Sequence, residues 1–304
     1  MNRSVRFTRY WYLYIFLMVV SYAKYIGIIS ALAFFYFDHV IFSYLSFLAL
    51  FIVVEIIMNF SIFQASIRQS LNLLFSKLKY RHKMPSKETY QNKTEFILPF
   101  EGEWAVFNGC FTKAHSHSWN IVTQRYAYDF IMIDSAAKSY NQDPLNYEDY
   151  YCYDKNIVAP ADGRVVNIYN KANDSIILKP GAFITRSRHI AGNYIVIKHA
   201  ENEYSLCAHL KKDSFRLKVG DDVKQGQVIA TCGNTGNSTE PHLHFQLQTT
   251  PHFFRGVGLP IKFTNVTMQR PDNYNQIDSR ATLSKDQIPA GFITRGYLVK
   301  NAHT

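Results

Sequence analysis

The first third of the chain contains an apolar run that can be buried only in a membrane or in a large core. It extends from Tyr10 to Phe63, and four charged or imidazole side chains interrupt it: Lys24, Asp38, His39 and Glu55. A helix needs about 20 apolar residues to cross the hydrocarbon core of a bilayer. The Asp38-His39 pair divides the run into segments near 11–37 and 40–62. Neither segment has a polar face or a cleavage site of the signal-peptide type. The sequence therefore predicts a membrane anchor over residues 1–63, formed by a transmembrane helical hairpin.

Two charged residues inside this run lie at similar depths in such a hairpin. Lys24 precedes Asp38 by 14 residues, and Glu55 follows it by 17 residues. At roughly 1.5 Å per residue the two side chains lie about 21 and 26 Å from the turn. An ion pair between them would lower the cost of each charge inside the bilayer. The alternative is that each side chain snorkels to an interface or faces a partner subunit.

A basic segment follows the hairpin. Between Ser66 and Lys83, apolar residues at near-helical spacing alternate with five Lys or Arg residues. This pattern is typical of an amphipathic helix on an anionic membrane surface, and a solvated linking helix is the alternative. Residues 84–95 are polar and indicate a linker. We therefore assign residues 64–95 to a juxtamembrane helix and linker.

The net charge of +10 is concentrated in this N-terminal part. Residues 1–95 carry a net +7, whereas residues 96–304 carry only +3. Charges beside a membrane segment suit anionic lipid headgroups, so the lipid bilayer is the predicted partner and nucleic acid is not. Four scattered cysteines without a CxxC pair exclude a zinc ribbon and a disulfide scaffold.

Beyond residue 96 the sequence changes to short β-branched runs separated by turns. The candidate strands are residues 157–166 with an Asp-Gly turn, 175–178, 193–198, 203–210, 227–231 and 243–248. No helical period of useful length interrupts them. The predicted fold is a mostly antiparallel β domain, a sandwich, over residues 96–270. Residues 271–304 are predicted to be a C-terminal extension that adds an edge strand or ends as a partly ordered tail.

Candidate chemistry concentrates in a loop and strand that contain an HxH motif. Residues 233–241 are rich in Gly, Asn, Ser and Thr, and His242 and His244 follow. Alternate residues of a strand share a face, so these two imidazoles project to the same side. Such a pair can provide a metal ligand and a general base. His209 is a third candidate, and alternation places Cys207 on its face of the strand.

The stretch from Gly192 to Gln248 resembles the lysostaphin-type (M23) family of zinc metallopeptidases. The matching segments are Gly192–Ile197, Ala208–Leu210, Lys218–Gln227 and Asn234–Phe245, with Ala159–Val165 upstream. The resemblance covers residues 96–270 and implies a β-sandwich built from a duplicated hybrid motif. It also implies a zinc-dependent endopeptidase that hydrolyses peptide bonds of bacterial peptidoglycan.

The resemblance further implies roles for individual residues. His244 and Asp129 become zinc ligands, and His209 and His242 become the catalytic pair. The family's usual HxxxD spacing fails, because Arg125 stands four residues before Asp129. Residues 124–130 resemble a branch of the family whose ligand histidine lies further upstream. We therefore predict His117 as the third ligand in preference to His115, a choice that only spatial proximity can decide.

Two questions follow from these expectations. A catalytically inactive domain of the same fold, acting as a scaffold or regulator of other wall enzymes, is the alternative function. The second question is the location of the β domain, because a peptidoglycan substrate and the charge distribution imply opposite sides of the membrane. A hairpin puts Arg3, Arg6 and Arg9 on the same side as the basic segment after residue 63. The positive-inside rule then favours the cytoplasm. We nevertheless predict an extracytoplasmic domain on the cytoplasmic membrane, because the chemical motifs are more specific than the charge count.

Overall fold

The protein divides into two compact units, Met1–Ser66 and Ile67–Thr304. The computed structural model describes residues 3–81, 83–276 and 278–302. The predicted segments 1–63, 64–95 and 271–304 thus include residues outside this description, namely 1–2, 82, 277 and 303–304.

Helices form in the N-terminal part of the chain, first in the apolar run and then in the basic amphipathic segment. Their bounds are α1 Arg3–Phe37, α2 Val40–Ser46, α3 Phe51–Met58 and α4 Phe60–Tyr80, with a 3₁₀ turn at Phe47–Leu50 between α2 and α3. Two apolar helical stretches, Tyr14–Phe37 with 24 residues and Val40–Met58 with 19 residues, are long enough to cross a bilayer. They coincide with the two segments that the sequence predicted.

The turn of the hairpin forms at the polar pair that interrupts the apolar run. Asp38 has a φ of 40°, and the His39 side chain caps α2 by accepting a hydrogen bond from the amide of Ile41. Gly27 of α1 lies against the backbone of Leu48 and Ala49, where a Cβ would clash. A small residue thus lets the two arms approach closely.

Lys24 and Glu55 form an ion pair within this N-terminal unit. The predicted pairing is confirmed, and the alternative of two separately snorkelling charges is not needed. Pairing reduces the cost of burying each charge in an apolar environment, since neither is left without an opposite charge.

Helix α4 starts six residues earlier than the predicted segment, and its second half belongs to the larger unit. Asn72 donates to the Gly256 carbonyl at 2.8 Å and accepts from the Gly256 amide at 3.0 Å. The Arg68 guanidinium lies over the Phe254 ring at 5.4 Å. Apolar side chains such as Leu71 and Leu78 remain exposed on α4. The placement of this helix on a membrane surface stays a prediction.

The larger unit is built from short strands, as predicted. Among the described residues they are β1 Trp104–Asn108, β2 Tyr128–Ile131, β3 Asn156–Val158, β4 Gly163–Tyr169, β5 Ile176–Lys179, β6 Ala182–Ile184, β7 Asn193–Ala200, β8 Glu203–Leu210, β9 Asp222–Val223, β10 Val228–Thr231, β11 Leu243–Gln248, β12 Gly258–Leu259, β13 Val266–Gln269 and β14 Leu298–Asn301. Every pairing between these strands is antiparallel, which confirms the predicted fold class.

Most of the strands form one large sheet in the order β13-β14-β1-β2-β11-β8-β7-β4-β9, with β12 beside β11. β3 and β10 pair separately, and so do β5 and β6. The Asp-Gly turn at residues 162–163 therefore joins strands of different sheets. The predicted extension over residues 271–304 supplies β14, which lies between β13 and β1 in the described sheet.

The core lies between the large sheet and the β3–β10 pair. Phe245 and Leu247 of β11 are fully buried there, together with Phe130 of β2 and Ile157 of β3. Each such side chain contributes about 1.5–3 kcal/mol relative to an exposed one. The odd-numbered residues of β11 thus fix its register. Its even-numbered residues, from His244 onward, are left on the opposite face.

Candidate metal centre

Sheet register brings His244 directly opposite Asp129. His244 on β11 pairs with Asp129 on β2 and, on its other side, with Ala208 on β8. Residues directly opposite in an antiparallel pair have Cβ atoms about 4.5–5.5 Å apart. His244 Nδ1 lies 2.9 Å from Asp129 Oδ1, and both side chains are buried. Two residues 115 positions apart in sequence therefore meet at one point of the sheet.

His117 reaches the same carboxylate from a loop. Its Nε2 lies 3.0 Å from Asp129 Oδ2. His115 lies outside this group and instead hydrogen-bonds the Thr112 hydroxyl at 3.0 Å. Of the two histidines, His117 is the one that lies beside Asp129. The intervening loop is stabilised where Arg125, the residue in the usual histidine position, stacks on Trp119 at 4.6 Å and donates to its carbonyl.

The ligand atoms of His117, Asp129 and His244 all lie within 4.8 Å of one another. Two imidazoles and one carboxylate are a typical donor set for zinc in a catalytic site, where a fourth position stays open for water. The His117 and His244 nitrogens lie 3.0 and 2.9 Å from Asp129, a few tenths of an ångström less than the separation of about 3.3–3.6 Å between ligand atoms of a tetrahedral zinc. The His117 Nδ1 atom is buried and has no hydrogen-bond partner among the described residues. The arrangement fits a single zinc ion.

The protonation of Asp129 and that of His117 depend on each other. Burial would raise the pKa of Asp129, but the charge and hydrogen bond of His117 and the hydrogen bond of His244 hold it well below its usual range. Burial would lower the pKa of His117, but Asp129 outweighs that effect and raises it. Asp129 is therefore a carboxylate, the form that binds a cation.

His209 and His242 face each other next to these three residues, with ring centroids 4.6 Å apart. In each ring Nδ1 lies beside a backbone carbonyl, that of Thr235 at 2.7 Å from His209 and that of Glu240 at 2.8 Å from His242. A carbonyl only accepts, so Nδ1 carries the proton in both rings and Nε2 is the free atom. His242 Nε2 lies 3.8 Å from Asp129 Oδ1.

His209 is held as a neutral base. Burial lowers the pKa of His209 well below its ordinary value, and His242 and His244 act in the same direction. Its backbone has a φ of 61°, a left-handed conformation that costs a non-glycine residue about 1–2 kcal/mol. Hydrogen bonds from its amide to Ala191 and from Gly233 to its carbonyl stabilise this conformation.

This backbone conformation agrees with the expectation that Cys207 is an inert buried thiol rather than a pocket-lining residue. Strict alternation would place Cys207 and His209 on one face, but the left-handed residue interrupts it. Cys207 and Leu210 both lie in the main core, whereas Ala208 packs in the cluster on the opposite face of the sheet. Cys207 is therefore a buried core thiol, and burial raises its pKa.

Two residues near the centre were not foreseen from the sequence. Asn108 Nδ2 donates to Asp129 Oδ2 at 3.0 Å, and Gln246 Oε1 lies 2.9 Å from His244 Nε2. Period-two alternation from His244 would have identified Gln246. No sequence pattern marks Asn108, because β1 meets β2 only through the sheet and a register shift.

Comparison with known proteins shows what the region around the histidines is similar to. Residues 149–254, about a third of the chain, match the model of peptidase family M23. This region is similar to an M23 peptidase. The matched region holds His209, His242 and His244, while His117 and Asp129 lie upstream of it.

Several curated relatives of this region are named endopeptidases. The chain is 44% identical over 64 residues to the peptidoglycan DD-endopeptidase ShyA of Vibrio cholerae, covering 21% of this chain and 14% of that protein. It is 48% identical over 63 residues to the glycyl-glycine endopeptidase ALE-1 of Staphylococcus capitis, again 21% of this chain and 14% of that protein. The chain thus spans about a seventh of the length of each.

Solved structures are similar at a lower level. The crystal structure of a zinc-containing peptidase from Vibrio cholerae aligns with 23% identity and a TM-score of 0.31, over 55% of this chain and 41% of that one.

Proposed function

We propose that the protein is a zinc-dependent endopeptidase that hydrolyses peptide bonds of bacterial peptidoglycan. The observation that carries this proposal is the meeting of His117, Asp129 and His244 beside two further histidines with free Nε2 atoms. His117, Asp129 and His244 would hold the zinc. Zinc would supply a polarised scissile carbonyl and a water of lowered pKa. Similarity to curated peptidoglycan DD-endopeptidases such as ShyA supports the substrate class.

The two remaining histidines would move the protons. His209 Nε2, unprotonated because Nδ1 donates to Thr235, accepts a proton from the attacking water. The same proton is then available to the leaving amine. His242 donates from Nδ1 to the Glu240 carbonyl, and its ring lies next to that of His209. Its Nε2 can therefore form hydrogen bonds with the reacting groups. A catalytically inactive scaffold is not favoured, because the described centre has a full set of ligands and bases.

The proposed activity is tested by removing the metal. The full chain in detergent should release new amine termini from purified peptidoglycan and contain about one zinc per chain. A chelator should abolish the hydrolysis, and added zinc should restore it. His115→Ala is the matched control, since His115 lies outside the ligand group, and should keep both properties. A folded protein that binds no zinc and releases no termini would refute the proposal.

We further propose that the apolar helices α1 to α3 anchor the protein in the cytoplasmic membrane as a two-span hairpin. Their length, composition and internal Lys24–Glu55 pair support this assignment. The functional segments would be the anchor 1–63, juxtamembrane region 64–95, peptidase domain 96–270 and extension 271–304. The exclusion of nucleic acid as a partner stays a prediction from charge distribution.

The proposed topology puts the M23 domain outside the cytoplasm, where peptidoglycan lies. Alkaline phosphatase fused after Thr304 should therefore be active, and a cytoplasm-dependent fluorescent protein fused there should be dark. The opposite pattern would agree with the positive-inside rule and would remove peptidoglycan as the substrate. A fusion after Phe37, between the spans, serves as the control because it should report the side opposite to Thr304.

A further inference from the structure

A row of buried polar side chains runs along β11 away from the metal centre. His244, Gln246 and Gln248 lie on the same face of the strand, and both glutamines are fully buried. Buried amides must find hydrogen-bond partners, since an unpaired buried amide destabilises the fold. Here each side chain is paired with the next one along the row.

The end of the row fixes the direction of every hydrogen bond in it. Gln248 Nε2 lies 2.6 Å from the carbonyl oxygen of Thr250, which can only accept. Gln248 must therefore turn its amide NH₂ group toward Thr250 and its oxygen toward Gln246. Gln246 donates its own NH₂ group to that oxygen, which leaves Gln246 Oε1 facing His244. Reversing either amide would place two donors or two acceptors against each other.

His244 Nε2 lies 2.9 Å from the Gln246 oxygen, which is an acceptor. His244 Nδ1 lies 2.9 Å from Asp129 Oδ1, a second acceptor. A neutral imidazole has a single N–H, so the two acceptors compete for one proton. When that proton is on Nε2, the Nδ1 lone pair is free for a cation between His244 and Asp129.

We propose that Gln246, oriented by Gln248 and the Thr250 carbonyl, is a positioning residue that keeps the Nδ1 lone pair of His244 available to the metal. This inference rests on the proposed zinc site and adds the device that selects the coordinating nitrogen. Without the Gln246 oxygen, Asp129 favours a proton on His244 Nδ1, and metal binding must displace that proton. Partners of this kind typically change metal affinity 10–100-fold.

The test measures zinc affinity and histidine protonation in the full chain in detergent. Zinc Kd is obtained by competition with a chromophoric chelator. Ring ¹⁵N chemical shifts of His244 are recorded on the metal-free protein at about pH 8.5, above the usual titration range of histidine. Gln246→Met keeps the side-chain length but has no strong acceptor. It should weaken zinc binding about 10–100-fold and increase the Nδ1–H population of His244.

Three companion variants separate positioning from a general loss of packing. Gln246→Glu still accepts from His244 Nε2, although its second oxygen then faces the Gln248 oxygen, and it should bind zinc more tightly than Gln246→Met. Gln248→Met frees the Gln246 amide to reverse, so it should shift His244 in the same direction as Gln246→Met. Gln225→Met removes an amide bonded to backbone carbonyls far from the centre and should change neither measurement.

The outcomes distinguish this inference from the proposed function. Wild-type zinc affinity and unchanged His244 shifts in folded Gln246→Met would overturn the positioning role while leaving the zinc site intact. A wild-type protein that binds no zinc would refute the proposed function. The ¹⁵N shifts of the metal-free variants would still show whether Gln246 controls the protonation of His244.

Discussion

His244→Ala is expected to remove zinc and to lower kcat/KM for peptidoglycan fragments by about 10³–10⁴-fold. Zinc contributes several kcal/mol to stabilising charge in the transition state, and each 1.36 kcal/mol is a factor of ten. His244 is one of only two imidazoles in the ligand group and is held between Asp129 and Gln246. Zinc content by mass spectrometry and release of amine termini measure the two effects together.

Folding of this variant has to be checked separately, because His244 is buried in a central strand. Asp129→Asn provides the second test, since it keeps the volume of the side chain but removes its charge, and should also lose zinc. Thermal unfolding is compared with that of chelator-treated wild type, which lacks the metal but keeps every side chain. Retention of one zinc per chain in both folded variants would contradict the ligand assignment.

His209→Gln is expected to lower kcat by about 10²–10⁴-fold while zinc stays bound, the range for loss of a general base. His209 is outside the group formed by His117, Asp129 and His244, and the Nε2 of its buried ring is the atom that we propose takes the proton. Glutamine retains a polar group near Thr235 but cannot accept and release a proton at neutral pH. Single-turnover hydrolysis with zinc-loaded protein isolates this step from metal binding.

A matched control comes from a histidine with similar partners but no access to the centre. His199 bonds the Asp162 carbonyl and the Ser205 hydroxyl, both at 2.7 Å. His199→Gln should leave kcat within about threefold of the wild type if only the histidines at the centre catalyse. An unchanged kcat in folded, zinc-loaded His209→Gln would refute its role as the base, and loss of zinc would assign it a structural one.

Local periodicity explains which parts were predicted correctly. The apolar segments form helices that end and begin around Asp38 and His39. Both the length of an apolar run and the polar residues that interrupt it can be read directly from the sequence. His242 and His244 face the same side because a strand alternates with period two. The Lys24–Glu55 pair was predictable for a similar reason, since a hairpin equalises depth on its two arms.

Long-range register explains the parts that the sequence left open. The loop containing His117 returns to β2 through contacts such as Arg125 on Trp119, which no spacing rule describes. His209 reaches the centre through a left-handed backbone that interrupts alternation. Asn108 meets Asp129 only where β1 pairs with β2.

The sequence by itself determined the parts of the protein. They are an apolar hairpin, a basic segment, an antiparallel β domain and the residue types of a zinc site. These follow from patterns within about ten residues, where periodicity and turn chemistry act. Only the tertiary structure decided that His117 rather than His115 lies beside Asp129, and which groups face the two nitrogens of His244. The first depends on a contact between residues that are distant in sequence. The second depends on the row of buried amides on β11, in which packing sets which group donates each hydrogen bond.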